Sequence, residues 1–114
     1  MPPSIVVVIR EDPYKTHRAV EALRIALGLS TGENPMTLVL LGQAPRLISE
    51  DPEDIVDGEL LDKFLPSFKQ LRIPFVLLSG SGSGFALDPD FTVSELSEEA
   101  IQSLVADADR VLVF

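Results

Sequence analysis

Residues 4–9 read SIVVVI, and this unbroken apolar run is the stretch that decides the fold class. A strand with one solvent-exposed face alternates apolar and polar residues, whereas a strand buried on both faces is apolar throughout. Two later runs have the same character, MTLVLLG at 36–42 and IPFVLL at 73–78. The three runs therefore predict strands of a parallel sheet that helices cover on both sides.

A helical pattern follows the first predicted strand. Val20, Leu23 and Leu27 recur at spacings of three and four residues, with alanines beside them. This pattern is typical of a helix that packs closely on a sheet. Asp12 is a suitable N-cap and Pro13 a suitable first helical residue, because the missing N–H of proline costs nothing there. The sequence thus predicts that this helix begins at Asp12 and Pro13.

Two more helices and two more strands are predicted further along the chain. Residues 59–72 carry a second apolar helical stripe, in which Pro66 should kink or restart the helix. A short strand is expected near 91–95, Ser97 should cap a third helix, and RVLVF at 110–114 should form a last strand. Strand and helix alternate, so we expect a three-layer α/β/α fold of flavodoxin or Rossmann type, with a mostly parallel sheet of about five strands.

The composition restricts the function classes. A length of 114 residues with 46% apolar content suits one domain, 1–114, with a substantial core. A net charge of −9 without a basic cluster excludes direct nucleic-acid binding. No apolar run approaches the ~20 residues of a membrane span, so we expect a cytoplasmic protein without a membrane partner. The absence of cysteine removes disulfides, thiolate metal sites and persulfide chemistry from this chain.

Ligands of such sheets bind at the carboxyl ends of the strands. Three stretches follow predicted strands directly, namely 10–12, 42–43 and the glycine–serine stretch SGSGSG at 79–84. The candidate binding residues at or beside these ends are Glu11, Asp12, Tyr14, Lys15, His17, Gln43, Ser79, Gly80, Ser81, Gly82, Ser83 and Gly84.

These candidates complete no catalytic or metal motif, and no cofactor is predicted. The 79–84 stretch lacks the P-loop lysine and the spacing of a dinucleotide fingerprint, which favours a flexible connection over a backbone anion nest. The acidic residues between 50 and 59 lack calcium-loop spacing and indicate a solvated loop. His17 has neither a nucleophile nor a second ligand in the pattern, so an enzyme using it with Tyr14 or Lys15 is only a third hypothesis.

The order of these features resembles the DsrE/DsrF-like proteins of sulfur relay and sulfur oxidation. The likeness covers nearly the whole chain, and four segments carry it: KTHRAVEALRIALGLS (15–30), TLVLLGQAPRLI (37–48), ELLDKFLPSFKQLRIPFVLL (59–78) and FALDPDFTV to RVLVF (85–114). The LDPDF turn at 87–91, followed by a helix and a terminal strand, resembles the DsrF/TusC branch most.

The resemblance implies an α/β/α fold and stable homo- or hetero-oligomers, often hexamers of three related subunits as in TusBCD. In the active subunits, a cysteine just past the third strand carries a persulfide to a small carrier protein. This chain has 79–84 in that region and no cysteine. A serine hydroxyl cannot form a persulfide.

The leading hypothesis is therefore a non-catalytic, oligomer-forming subunit. It would scaffold a related DsrE-like subunit that bears the cysteine, or dock a sulfur-carrier protein. The alternative is a small-molecule or anion-binding module that uses the loops at 10–18, 42–46 and 79–85.

Overall fold

The computed structural model describes residues 4–30, 35–49, 55–56, 58–80 and 87–114. Within these ranges the strands are β1 (Ile5–Ile9), β2 (Met36–Leu40), β3 (Phe75–Leu78), β4 (Val93–Leu96) and β5 (Arg110–Val113). The helices are α1 (Arg18–Ser30), α2 (Gly58–Leu71) and α3 (Glu98–Asp107), with a 3-10 helix at Ala44–Ile48. None of the helices described is both long enough and apolar enough to cross a bilayer.

The sheet is parallel throughout, with the strand order β4-β3-β2-β1-β5. In its register, Ile5 of β1 lies opposite Met36 of β2 and opposite Arg110 of β5. All five residues of β1 are buried, as the SIVVVI run predicts. The strand order reverses at β1. The chain places β2, β3 and β4 successively on one side of β1 and then returns to place β5 on its other side. The α/β fold class is confirmed.

Two apolar clusters lie on opposite faces of the sheet. Val7 of β1 belongs to the larger cluster, together with Leu23 of α1 and Phe68 of α2. Val8 belongs to the smaller cluster, together with Ile101 of α3. Neighbouring residues of a strand point to opposite faces. The sheet is therefore the middle layer, with α1 and α2 on one face and α3 on the other.

The start of α1 differs from the prediction. The Asp12 carboxylate accepts the N–H of Tyr14 (2.9 Å) and so caps a turn, not a helix. The Pro13 carbonyl accepts the N–H of Val56 (2.9 Å), which ties this turn to the segment before α2. The helix begins only at Arg18. An aspartate side chain accepts hydrogen bonds from the N–H groups of a turn as readily as from those of a helix end. The capping pattern at Asp12 therefore predicted a helix start where the chain forms a turn.

The other two helices follow the sequence more closely. The Ser97 hydroxyl accepts the N–H of Ala100 (3.1 Å), so Ser97 is the predicted N-cap of α3. The helix α2 runs unbroken from Gly58 to Leu71 with Pro66 inside it, so Pro66 does not restart the helix. Pro66 is exposed, and its ring therefore displaces no core side chain.

An ion pair fixes the turn that leads into β4. Lys69 Nζ lies 2.7 Å from Asp88 Oδ2 and 5.0 Å from the centre of the Phe91 ring. The Asp88 N–H donates to the carbonyl of Ile48 (2.9 Å). The hydrogen bond from Lys69, followed by that from the Asp90 N–H, lowers the pKa of Asp88. These contacts attach the LDPDF turn to α2 and to the 3-10 helix.

Candidate functional site

Backbone hydrogen bonds join the strands at their carboxyl ends. Leu41, directly after β2, donates its N–H to the last carbonyl of β1 (2.9 Å), and Arg10 donates to the carbonyl of Phe114 after β5 (2.7 Å). On the other half of the sheet, Ser79 donates to the carbonyl of Leu96 at the end of β4 (2.9 Å). All five strand ends therefore lie at one edge, where the fold class leads us to expect a ligand.

A pocket of about 410 Å³ opens at this edge, between the ends of β2 and β3 and the first turns of α3. We call it the α3 pocket, and the residues that line it are Leu41, Gly42, Leu78, Glu98, Ile101 and Gln102. Its volume falls within the range of about 300–1,000 Å³ that is usual for small-molecule sites.

The helix α3 supplies half of the lining because of its residue spacing. Glu98, Ile101 and Gln102 stand at positions i, i+3 and i+4, which places them on one face of the helix. Ile101 is buried against the apolar cluster of the sheet, and this contact holds the face toward the strand ends. Leu41 and Leu78 pack against the same cluster from the sheet side. The described part of the lining thus has apolar walls with one carboxylate and one amide.

Gly42 is the point where the chain turns away from β2. Its φ of +61° lies in the left-handed region, which glycine adopts without strain. A Cβ at this position would lie 3.7 Å from the carbonyl oxygen of Arg10, an ordinary van der Waals contact. Backbone conformation, and not lack of space, is therefore what favours glycine here. The next residue, Gln43, is exposed, precedes the 3-10 helix and does not line the α3 pocket.

The candidates after β1 do not line the α3 pocket. The five are Glu11, Asp12, Tyr14, Lys15 and His17. Asp12 holds the turn described above, and the Glu11 carboxylate lies 3.9 Å from the Arg18 guanidinium, with both side chains well exposed. Such an exposed pair adds little stability. Lys15 and His17 are exposed as well.

Another ion pair, between Arg24 and Glu21, lies on the surface of α1. Arg24 donates a hydrogen bond to the Glu21 carboxylate, which lowers the pKa of Glu21 and raises the pKa of Arg24. Because this pair is three residues apart on an exposed helix face, we interpret it as support for α1 and not as part of a site.

The glycine–serine stretch begins beside the α3 pocket. Ser79 and Gly80 follow Leu78 directly and are exposed, and Gly80 has a φ of +85°. Ser81, Gly82, Ser83 and Gly84 lie outside the described residues, so the prediction that they form a binding loop stays a prediction. Within the described ranges, no three His, Asp or Glu side chains gather in a group that could hold a metal ion.

The sequence reasoning missed the α3 residues of the pocket. It predicted a helix capped by Ser97 but singled out none of the three α3 residues that line the pocket, Glu98, Ile101 and Gln102. The signal was present in the i, i+3, i+4 spacing of these residues. It became informative only once the strand order placed the start of α3 against the ends of β2 and β3.

Comparison with known proteins identifies the fold. No family model matches the sequence, and no curated protein matches it significantly. Among solved structures, the ychN protein of E. coli superimposes with a TM-score of 0.76 over 100% of both chains, at 23% sequence identity. A likeness at this identity shows the fold alone. The chain thus has the DsrE-like α/β fold that the sequence resemblance implied.

Proposed function

We propose that this chain is a non-catalytic, oligomer-forming subunit of a DsrE/DsrF-like sulfur-relay or sulfur-oxidation assembly, of the DsrF/TusC branch, that works in the cytoplasm. In this role it scaffolds a related subunit that bears the reactive cysteine, or it docks a sulfur-carrier protein. The observation that carries the proposal is a full-length DsrE-like fold in a chain without cysteine. Persulfide chemistry needs a thiolate, so the reacting sulfur belongs to a partner.

The outer edge of β5 supports the formation of oligomers. Val111 and Val113 are 37% and 51% exposed. They lie opposite Val6 and Val8 of β1, so both valines are on the α3 face of the sheet. β5 ends the described sheet, and a strand in this position presents backbone N–H and C=O groups for pairing with another chain. Two exposed valines beside such an edge favour a protein contact there.

Light scattering after size-exclusion chromatography tests this contact. We expect the parent chain to elute as an oligomer and Val113→Lys to shift it toward the monomer, because a lysine on an edge strand opposes pairing. Leu71→Lys is the matched control, since Leu71 is 57% exposed at the end of α2. It should leave the mass unchanged. A monomeric parent chain, or equal effects of the two lysines, would count against the proposed interface.

The docking role is tested by co-purification from the organism that encodes the chain. Mass spectrometry of the proteins that stay bound should identify a cysteine-bearing DsrE-like subunit or a small sulfur carrier. Recovery of the chain without either would argue against the relay assembly.

The α3 pocket supports a second candidate, a small-molecule-binding module. The Glu98 carboxylate in its lining disfavours the anionic ligands considered from the sequence, since like charges repel. Isothermal titration calorimetry with nucleotides, phosphate and sulfur oxyanions, followed by neutral and cationic metabolites, tests this candidate. Flat traces for all of them would eliminate it.

A further inference from the structure

We infer that the α3 pocket binds a lysine or arginine side chain of a partner protein. The inference rests on the proposed docking role and adds to it the chemistry of the contact. It is drawn from the lining of the pocket and from the charges beside it.

The lining suits a long cationic side chain. Leu41, Leu78 and Ile101 offer apolar walls, against which the methylene stem of lysine or arginine packs. The Glu98 carboxylate and the Gln102 amide oxygen accept hydrogen bonds from an ammonium or guanidinium group. Among the described residues, no basic side chain lines the pocket to compete for the carboxylate or repel an incoming cation.

The charge at the pocket favours a basic partner. Glu98 lies in the lining and Glu99 follows it in the same helical turn, within a chain whose net charge is −9. Both carboxylates are exposed. These charges would attract the basic surface of a partner and raise its association rate.

A peptide titration tests the inference on the isolated protein. The probes are Ac-Leu-Arg-Leu-NH2 and its counterparts with central glutamine or glutamate, added to methyl-labelled protein at low ionic strength. We expect the arginine peptide to shift the methyl signals of Leu41, Leu78 and Ile101 most, and the glutamate peptide to leave them in place. Added salt should weaken the arginine peptide's binding.

Two variants that each remove one negative charge from α3 distinguish binding in the pocket from a general attraction to the acidic start of the helix. Glu98→Gln should weaken arginine-peptide binding roughly two- to fivefold, the range expected for one partly exposed ion pair. Glu99→Gln removes the same charge from the same helical turn, but Glu99 does not line the pocket. This variant should change the affinity much less.

Three results would overturn the inference: equal shifts with the glutamine or glutamate peptide, shifts centred away from the pocket, or equal effects of the two variants. These results are distinct from a failure of the proposed function. If the peptide does not bind but co-purification recovers a relay partner, docking uses another surface. If the peptide binds but no partner is recovered, the pocket is a cation site outside a relay.

Discussion

Replacing Asp88 with asparagine removes the charge from a partly buried ion pair and should lower the free energy of unfolding by about 1 kcal/mol at neutral pH. Lys69 Nζ and Asp88 Oδ2 are 2.7 Å apart, and the two side chains are only 32% and 21% exposed. Solvent therefore screens the pair less than a fully exposed one, which places it near the top of the range for surface pairs. An asparagine oxygen can still accept the Asp90 N–H, so that hydrogen bond is not lost.

The loss of stability caused by Asp88→Asn should become smaller at acidic pH. The hydrogen bond from Lys69 lowers the pKa of Asp88 in the folded protein, and the Asp90 N–H lowers it further. An unfolded aspartate titrates near a pKa of about 3.9. The stabilisation is thus fully present above that value and is lost as the pH falls through the lower folded pKa. The difference between parent and Asp88→Asn should shrink below about pH 4.

Urea unfolding followed by circular dichroism measures this effect at pH 7 and again near pH 3. A double-mutant cycle with Lys69→Met isolates the pairwise coupling, which we expect to be about 0.5–1 kcal/mol at pH 7. Asp90→Asn is the control, because it changes the net charge equally within the same turn and leaves the ion pair intact. A coupling below about 0.2 kcal/mol at pH 7, or one that is unchanged at pH 3, would refute the reasoning.

Three further predictions concern stability and use the same urea assay. Leu77→Ala in β3 should cost about 2–5 kcal/mol, because the side chain is fully buried; a loss below 1 kcal/mol would contradict its place in the core. Ser97→Ala should cost about 1 kcal/mol through loss of the α3 cap, whereas Ser97→Asp should cost little, and equal losses would contradict the capping role. Pro66→Ala should raise the stability by about 1–3 kcal/mol, since an exposed helix position regains an N–H donor; a loss would show that the ring has a packing role.

Much of the fold could be predicted because continuous apolar runs and helix caps are strong signals that lie within a few residues of sequence. The SIVVVI run can be buried on both faces only in a covered sheet, and β1 is buried at every position. Ser97 before two glutamates indicates a helix start, and α3 begins there. The same reasoning failed at Asp12, because an aspartate side chain caps a turn as readily as a helix end, and the contact of this turn with Val56 is distant in sequence.

The candidate site was less predictable than the fold. The sequence indicated correctly that Gly42 and Ser79 follow strands, but the order of the strands cannot be read from their composition. The order β4-β3-β2-β1-β5 brings the ends of β2 and β3 under the start of α3 and leaves the turn after β1 outside the pocket. The strand order therefore places Glu98 and Gln102 in the lining of the pocket, whereas His17 does not line it.

The central claim is that this chain assists sulfur transfer without carrying the sulfur. The most direct test reconstitutes the chain with the cysteine-bearing partner recovered by co-purification, supplies 35S-labelled persulfide, and follows the label on each polypeptide. The account predicts label on the partner, none on this chain, and slower transfer to the carrier when this chain is left out. Transfer that proceeds equally well without this chain would contradict the account.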